Sequence, residues 1–217
     1  MFSYFINLLL KSAVLKGQNR HRLQFKCAKT PLELQRILDF RLAEYQKQLP
    51  YMLETLDEHG QDNYDASAYH FYVQDGERIL AVVRFNRYPF ESMQWIEPQK
   101  FSPHIGLQQL DQTLEISRLI TAQQHGYKRL MPSLLLFSSL YLWRYTNYRY
   151  YMAYCKESNK DKFKGFRAMQ TELSFSIQCR GEHAYSFYFG EIKQALLQGG
   201  KTAFRMNKLK KTTLARG

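Results

Sequence analysis

The sequence predicts a mixed α/β fold of the α+β kind, a mixed sheet flanked by helices, and three stretches carry that expectation. Ala68 to Gln74 and Ile79 to Phe85 are strand-like runs joined by Asp75-Gly76-Glu77, a hairpin signal of the longer-loop type. Thr113 to Ile120 reads as a strand, Leu130 to Trp143 as a very apolar helix, and Tyr148 to Cys155 as a buried strand. That order calls for a right-handed crossover and a parallel strand pair. Glu172 to Ile177 and Tyr185 to Gly190 form a terminal antiparallel pair. An antiparallel front half is thus followed by a central β-α-β unit. A central strand that parts from its parallel neighbour opens a V-shaped cleft, and its free edge can pair with an extended ligand as an added strand would.

In chain order, residues 1–29 read as a basic amphipathic segment, 30–200 as a single domain and 201–217 as a basic tail. Phe2, Phe5, Leu9 and Ala13 recur at helical spacing, with Lys11 and Lys16 at the end of the run. The run is too short to span a bilayer and lacks the charged start and cleavage site of a secretory signal. It is expected to lie either on the domain or on a lipid surface, with its lysines toward the headgroups. Thr30-Pro31-Leu32-Glu33 is a helix start: Thr caps, Pro fits the first turn, and Glu reaches back as the capping-box partner. Ile37, Leu38, Leu42, Tyr45 and Leu49 then recur at helical spacing. Glu54 to Asp65 is polar, and residues 86–112, with Pro89, Pro98 and Pro103, have no periodicity. Lys156 to Met169 reads as a basic helix and Glu191 to Leu197 as a last short one.

The chain has 217 residues, enough for one sizeable core, and carries a net charge of +12. Lys11, Lys16, Arg20, Arg22, Lys26 and Lys29, with Lys201, Arg205, Lys208, Lys210, Lys211 and Arg216, account for all of that excess. A neutral body with cationic ends points to an anionic partner met at the termini. Cys27, Cys155 and Cys179 are odd in number and have no CxxC spacing, which fits a reducing, cytoplasmic compartment and argues against a zinc site or disulfide framework. The six histidines show no ligand spacing, so no metal is expected. There is no G-x-S-x-G elbow and no P-loop. Tyr148, Tyr150, Met152 and Tyr154 alternate as one face of a strand, which favours sheet packing over base stacking, and no nucleic acid is expected as partner.

Glu115 and Arg118 sit three apart inside the Thr113 strand. Side chains three apart face opposite sides of a regular strand, so both reach one cleft only if the strand bulges between them. Upstream lie Arg41, Tyr45, Tyr51, Asp62-x-x-Asp65 and Arg84. This series, in this order, resembles the pattern of acyl-homoserine-lactone synthases and N-acyl amino acid synthases, acyl-carrier-protein-dependent branches of the GNAT acyltransferase superfamily. The resemblance covers roughly residues 36–170 and matches Arg41, Asp62, Asp65, Arg84, Glu115 and Arg118 to the characteristic charged positions. Tyr45 stands where those enzymes place an aromatic. Tyr51 stands where the lactone synthases favour Trp, and Phe85-Asn86-Arg87-Tyr88-Pro89 lacks their Leu-Pro-Thr type of sequence. Acetyl-CoA members carry a Q/R-x-x-G-x-G/A loop, and here Gln123-Gln124-His125-Gly126-Tyr127-Lys128 puts Lys128 where a small residue lets the pyrophosphate approach.

What the resemblance implies is transfer of a fatty acyl group from an acyl-carrier-protein thioester, or acyl-CoA, to the amino group of an amino-acid-like acceptor, with no tightly bound cofactor. Glu115 is the expected base, its pKa raised by a desolvating cleft wall. Arg118 is expected either to grip an acceptor carboxylate or to fix Glu115. A backbone amide freed by the bulge would meet the oxyanion, and Arg41, Asp62, Asp65 and Arg84 would form an ion-pair network ordering a closing loop. Lys128, Arg129, Arg149, Lys156, Lys160, Lys162 and Lys164 form the expected docking face for an acidic carrier protein. The alternatives are a lactone-forming autoinducer synthase using S-adenosylmethionine, an acetyl-CoA enzyme, and a basic membrane- or nucleic-acid-binding domain.

Overall fold

In the computed structural model, which describes residues 23–101, 103–123, 130–159, 166–177, 180 and 183–199, seven strands form one mixed sheet. Across the sheet they run β1 (Leu23–Cys27), β2 (Tyr69–Asp75), β3 (Arg78–Asn86), β4 (Thr113–Thr121), β5 (Tyr150–Lys156), β7 (Ala184–Glu191) and β6 (Met169–Ser176). β4 and β5 are parallel, and the other five neighbouring pairs are antiparallel. Helix α1 spans Pro31–Gln48, α2 spans Leu130–Tyr145, and residues 192–199 form a short α3. The hairpin, the β-α-β unit and the terminal pair therefore stand as the sequence predicts. Two elements differ. Leu23–Cys27, inside the stretch assigned to the N-terminal segment, is an edge strand because Leu23 and Phe25 alternate into the core while Lys26 faces away. Met169, expected to end a basic helix, instead opens β6, and Glu157–Asn159 is a 3-10 turn. Residues 160–165 lie outside the described residues, as do the N-terminal amphipathic run and the basic tail.

Side-chain alternation puts the two kinds of cover on opposite faces. Phe71, Val73, Val83, Phe85, Leu114, Ile116, Tyr151 and Tyr188 meet Leu134, Leu135 and Phe137 of α2 and Ile192 and Ala195 of α3. On the other face, Tyr72, Val82 and Ile120 pack under Ile37 and Tyr45 of α1. Further along that face, Met152, Phe187 and Phe189 pack under Phe90, Ile96, Phe101 and Ile105 from the irregular segment. The α1 start is fixed as expected: Thr30 Oγ1 accepts from Glu33 N at 3.2 Å while Glu33 Oε2 accepts from Thr30 N at 3.2 Å. Glu33 also accepts from Tyr72 Oη at 2.9 Å, tying the helix to β2. Between the two apolar clusters of this face the sheet presents Arg84, Asn86, Glu115, Ser117 and Arg118, all buried.

Two irregularities of β4 make room there. The strand pairs with β5 only from Thr113 to Ile116, opposite Tyr150 to Ala153, and beyond that the two diverge. On its other edge, Val82 faces Ile120 but Arg84 faces Ser117, so β4 carries one extra residue. That residue is at Arg118, whose φ of 51° is left-handed and unusual for a side chain of this size. Side-chain direction flips with each residue, so the bulge lets Ser117 and Arg118 face the α1 side while Ile120 keeps its place under α1.

At the far side of β5, Gly190 faces Tyr151 across the ladder. An added Cβ would come within 2.6 Å of Tyr151 Oη, which donates to Phe166 O at 2.9 Å. Gly190→Ala is expected to lower unfolding free energy by about 1–3 kcal/mol through displacement of that ring. Denaturant melts check this, and an unchanged midpoint would mean the ring moves at no cost.

Candidate active site

Four arginines and three carboxylates meet on the α1 face of the sheet, drawn from distant parts of the chain. Arg41 of α1 donates through Nη1 to Asp65 Oδ1 at 2.8 Å and through Nη2 to Asp65 Oδ2 and to Gly60 O. Arg84 of β3 donates through Nη1 to Asp62 and Asp65, through Nη2 to Glu91 Oε2 at 2.7 Å, and through Nε to Ser117 Oγ at 2.9 Å. Arg118 reaches Asp62 Oδ2 at 2.6 Å, Glu91 Oε1 at 3.2 Å and Thr55 Oγ1 at 3.2 Å. Arg180 closes the set, donating to Glu91 Oε1 at 3.1 Å and to Tyr154 Oη at 3.3 Å while lying over the Trp95 ring. Asp62 and Asp65 bracket one turn: Asp65 Oδ2 accepts from Asp62 N, and Asp62 Oδ1 accepts from Tyr64 N. The loop from Gly60 to Asp65 is thereby fastened to α1, β3 and β4 together.

Electrostatics follow from burial and partners. Burial alone would push the Glu91 carboxyl up, but Arg118, Arg84 and Arg180 outweigh it and hold the group below the usual carboxylate range. Asp65 behaves alike, with Arg41 and Arg84 overcoming burial. Glu115 faces no guanidinium. Its oxygens accept from Glu91 N at 2.7 Å, Ser92 N at 3.0 Å and Asn86 Nδ2 at 3.1 Å, so it caps the 3-10 turn Glu91–Gln94. Burial, and then the charge of Glu91, push its carboxyl from 4.5 up to about 7 against the hydrogen bonds from Ser92 and Asn86. Tyr154 is likewise raised well above the usual phenol value, first by burial and then by Glu91.

Two cavities meet at this network. One, of about 290 Å³, occupies the wedge where β4 and β5 part. Its walls are mostly apolar, with Tyr45, Leu49, Met52, Ile116, Leu119, Met131 and Leu135, and Tyr51, Lys156 and Asn159 also line it. The second, of about 840 Å³, lies beyond the network and is lined by Glu54, Asp57, Asp62, Tyr64, Gln94 and Trp95. Glu91 and Arg118 belong to both walls. Among the described residues no cluster of His, Cys, Asp and Glu could hold a metal ion, and no helix is long and apolar enough to cross a membrane.

Of the residues singled out from the sequence, Arg41, Asp62, Asp65, Arg84 and Arg118 come together, and Tyr45 and Tyr51 line the wedge. Glu115 does not line either cavity. With 0% exposure and its oxygens taken by Glu91 N, Ser92 N and Asn86, it sits under the backbone of residues 91–92. Arg118 does not fix Glu115, because its donors go to Asp62, Thr55 and Glu91, and it lines both cavities. The two described residues of the expected docking face lie apart. Lys156 lies at the wedge with its Nζ 4.8 Å from the Tyr51 ring centre, whereas Arg149 precedes the other end of β5, its guanidinium bound to Thr146 O and Tyr148 O. Seven residues of strand put about 23 Å between them. Lys128, Arg129, Lys160, Lys162 and Lys164 lie outside the described residues. Glu91, Arg180 and Tyr154 were not foreseen. Glu91 stands in a segment without periodicity and Arg180 is 89 residues from its partner, so no spacing announced either.

No protein-family model and no curated protein matches the sequence. Solved structures do. MesI, a CoA-dependent acyl-homoserine lactone synthase, is similar with a TM-score of 0.64 at 9% identity, over 83% of this chain and 95% of MesI. The fold is GNAT-like. BjaI, another CoA-dependent acyl-homoserine lactone synthase, solved with MTA, has a TM-score of 0.63 at 14% identity over 83% of this chain and 89% of its own. FeeM, an N-acyl amino acid synthase from uncultured soil microbes, has a TM-score of 0.56 at 12% identity over 79% and 93%. Within this GNAT-like fold the split of β4 from β5 and the bulge at Arg118 place the ion network at the apex of the wedge.

The near-neutral Glu115 has a measurable consequence. Its folded pKa lies above its unfolded value, so the stability it contributes is full below about pH 4.5 and is lost as pH rises through about 7. The share of stability due to Glu115 should therefore fall across that window, by on the order of 1–3 kcal/mol, against the opposite slope of His70, whose pKa burial lowers. Glu115→Gln, which cannot ionise, is expected to remove that part of the slope. Urea titrations at several pH values decide it, and equal slopes in both proteins would contradict the placement of Glu115.

Proposed function

We propose that the protein is an N-acyltransferase, moving a fatty acyl group from an acyl-carrier-protein thioester to the amino group of an amino-acid-like small molecule. The observation that carries this reading is the pair of cavities, one mostly apolar and one polar, that share Glu91 and Arg118 as a common wall. The apolar wedge suits an acyl thioester, whose amides can pair with the β4 edge exposed beyond Ile116. The polar cavity suits the acceptor. The Glu91 carboxylate, kept ionised by three arginines, hydrogen-bonds and orients the acceptor's ammonium, and Asp62 adds negative charge beside it. The ammonium gives up its proton to water in the open cavity. The amine nitrogen then attacks the thioester carbon, the C–S bond breaks, and the second proton lost by the nitrogen passes through water to the departing thiolate, leaving an amide and a thiol. The backbone freed at the Arg118 bulge faces the developing oxyanion, and Glu115 acts by fixing the turn that aims Glu91.

The likeness to MesI and BjaI, both described as CoA-dependent lactone synthases, favours a second reading with acyl-CoA as donor. Against it stands the basic stretch from Lys128 to Arg167, which suits an acidic carrier. Mass spectrometry of products formed from acyl-carrier protein or acyl-CoA with amino acids or S-adenosylmethionine tests both. An N-acyl amino acid supports the first reading, a lactone the second, and no acylated product overturns acyl transfer. Glu91→Gln is expected to lower kcat/KM at least about 100-fold. Charge reversal at Lys160, Lys162 and Lys164 should raise KM for the carrier about 10-fold and leave KM for acyl-CoA unchanged. An unaltered carrier KM would remove these lysines from docking.

A further inference from the structure

Helix α2 is apolar on the side turned away from the sheet as well as on the side turned toward it. Leu134, Leu135, Phe137 and Leu142 face the core. Pro132, Leu136, Leu140 and Trp143 recur at helical spacing on the outer side and are exposed or half-buried. Arg144 is the one charged side chain among the 16 residues of the helix. A helix that covers a sheet ordinarily turns polar residues outward, whereas this one keeps an apolar stripe about 24 Å long. Helix α3 extends the surface. It lies beside α2, close enough that a Cβ on Gly199 would come within 2.9 Å of Leu136 Cδ1. Its Ile192 and Ala195 are buried against the sheet, so Lys193 and Leu197, which is 52% exposed, point outward.

Charge on this layer is nearly of one sign. Residues 130–149 and 192–199 contain Arg144, Arg149 and Lys193 and no acid. The Arg149 guanidinium lies 4.7 Å over the Trp143 ring, and Arg167, exposed beside α3, reaches Gln194 Oε1 at 3.4 Å. Glu191, just before α3, is an exposed carboxylate at the margin. From Gly199 the chain continues into residues 201–217, which hold six basic residues and no acid. On the opposite face α1 is balanced, with Glu33, Asp39 and Glu44 against Arg36, Arg41 and Lys47.

Independently of the acyl-transfer reading, we infer that the outer face of α2 and α3 is a docking surface for an anionic lipid bilayer. The two helices lie along the membrane with the apolar stripe in the boundary between headgroups and acyl chains. Trp143 and Tyr145, which is 61% exposed, stand at the C-terminal end of the stripe, and such rings settle at the headgroup level. Arg144, Arg149, Lys193 and the basic tail meet lipid phosphates, each cation raising affinity about fivefold. Apolar contact and basic charge act together, since one such signal alone holds a protein at a membrane only weakly.

Co-sedimentation of the full chain with sucrose-loaded vesicles tests this. The vesicles are phosphatidylcholine with about a quarter phosphatidylglycerol, compared with pure phosphatidylcholine. The wild type should bind the anionic vesicles and bind the neutral ones at least about tenfold more weakly. Leu197→Glu loses apolar contact and adds a repelled charge, and it should weaken binding at least about tenfold, as should Leu140→Glu. Leu32→Glu alters a leucine on α1 that is 73% exposed, and it should leave binding unchanged. Because Leu197 is exposed, its variant decides the matter if Leu140→Glu fails to fold. No binding to the anionic vesicles overturns the inference, as does equal binding to the neutral ones. Leu197→Glu binding like the wild type, or Leu32→Glu losing as much as Leu197→Glu, also overturns it. A wild-type dimer that Leu197→Glu turns into a monomer in sedimentation equilibrium would give the face to a second copy of the chain and overturn it too.

Discussion

Glu91 is a buried carboxylate that takes hydrogen bonds or ion pairs from three arginines, and the polar half of the molecule is organised by that contact. Arg84 comes from β3, Arg118 from β4 and Arg180 from the segment before β7, so one side chain ties the front half of the sheet to its back half. Leaving any of these charges buried without its partner costs on the order of 3–5 kcal/mol. The arrangement therefore resists partial change. Glu115 supports it from beneath by accepting from the backbone of residues 91 and 92, and Asp62 and Asp65 extend it to α1 and the loop that leads back to the sheet.

The bulge at Arg118 is what allows a sheet to hold such a network. A regular β4 would send Ser117 and Arg118 to opposite faces, and Arg118 would be driven into the apolar layer under α2. The extra residue keeps Arg118 on the polar side and returns the strand to phase, so Ile120 still packs below α1. The left-handed backbone at Arg118 is the local cost, and burial of its guanidinium against Asp62, Glu91 and Thr55 offsets it. On its other edge, β4 leaves β5 after Ile116, so the same strand builds both the ion network and the cleft beside it.

The two faces of the sheet divide the labour. The face under α2 and α3 is continuous hydrocarbon and aromatic packing, with Phe71 edge-on to Phe85 and Phe137. The opposite face is split into two apolar islands, one under α1 and one under the segment from Phe90 to Ile105. The buried charges fill the gap between the islands. A polar group placed there is surrounded by apolar walls, which explains why burial is the first influence on the titration of Glu91, Glu115, Asp65 and Tyr154.

The sequence by itself determined the elements and their order. The Asp75-Gly76-Glu77 turn of the Ala68 to Phe85 hairpin, the capping box at Thr30, and the strand-helix-strand run from Thr113 to Cys155 are local patterns, and local sterics and hydrogen bonding enforce them. The order of the charged residues, through the family pattern the chain resembles, also marked Arg41, Asp62, Asp65, Arg84 and Arg118. Only the tertiary structure decided which partner each charge takes. Glu91 and Arg180 lie in stretches without periodicity, and Glu115 looks equally well placed for catalysis or support until the backbone of residues 91–92 is seen to cover it. Pairing of buried charges is a long-range contact between residues far apart in the chain, and no short-range pattern encodes its distance or direction.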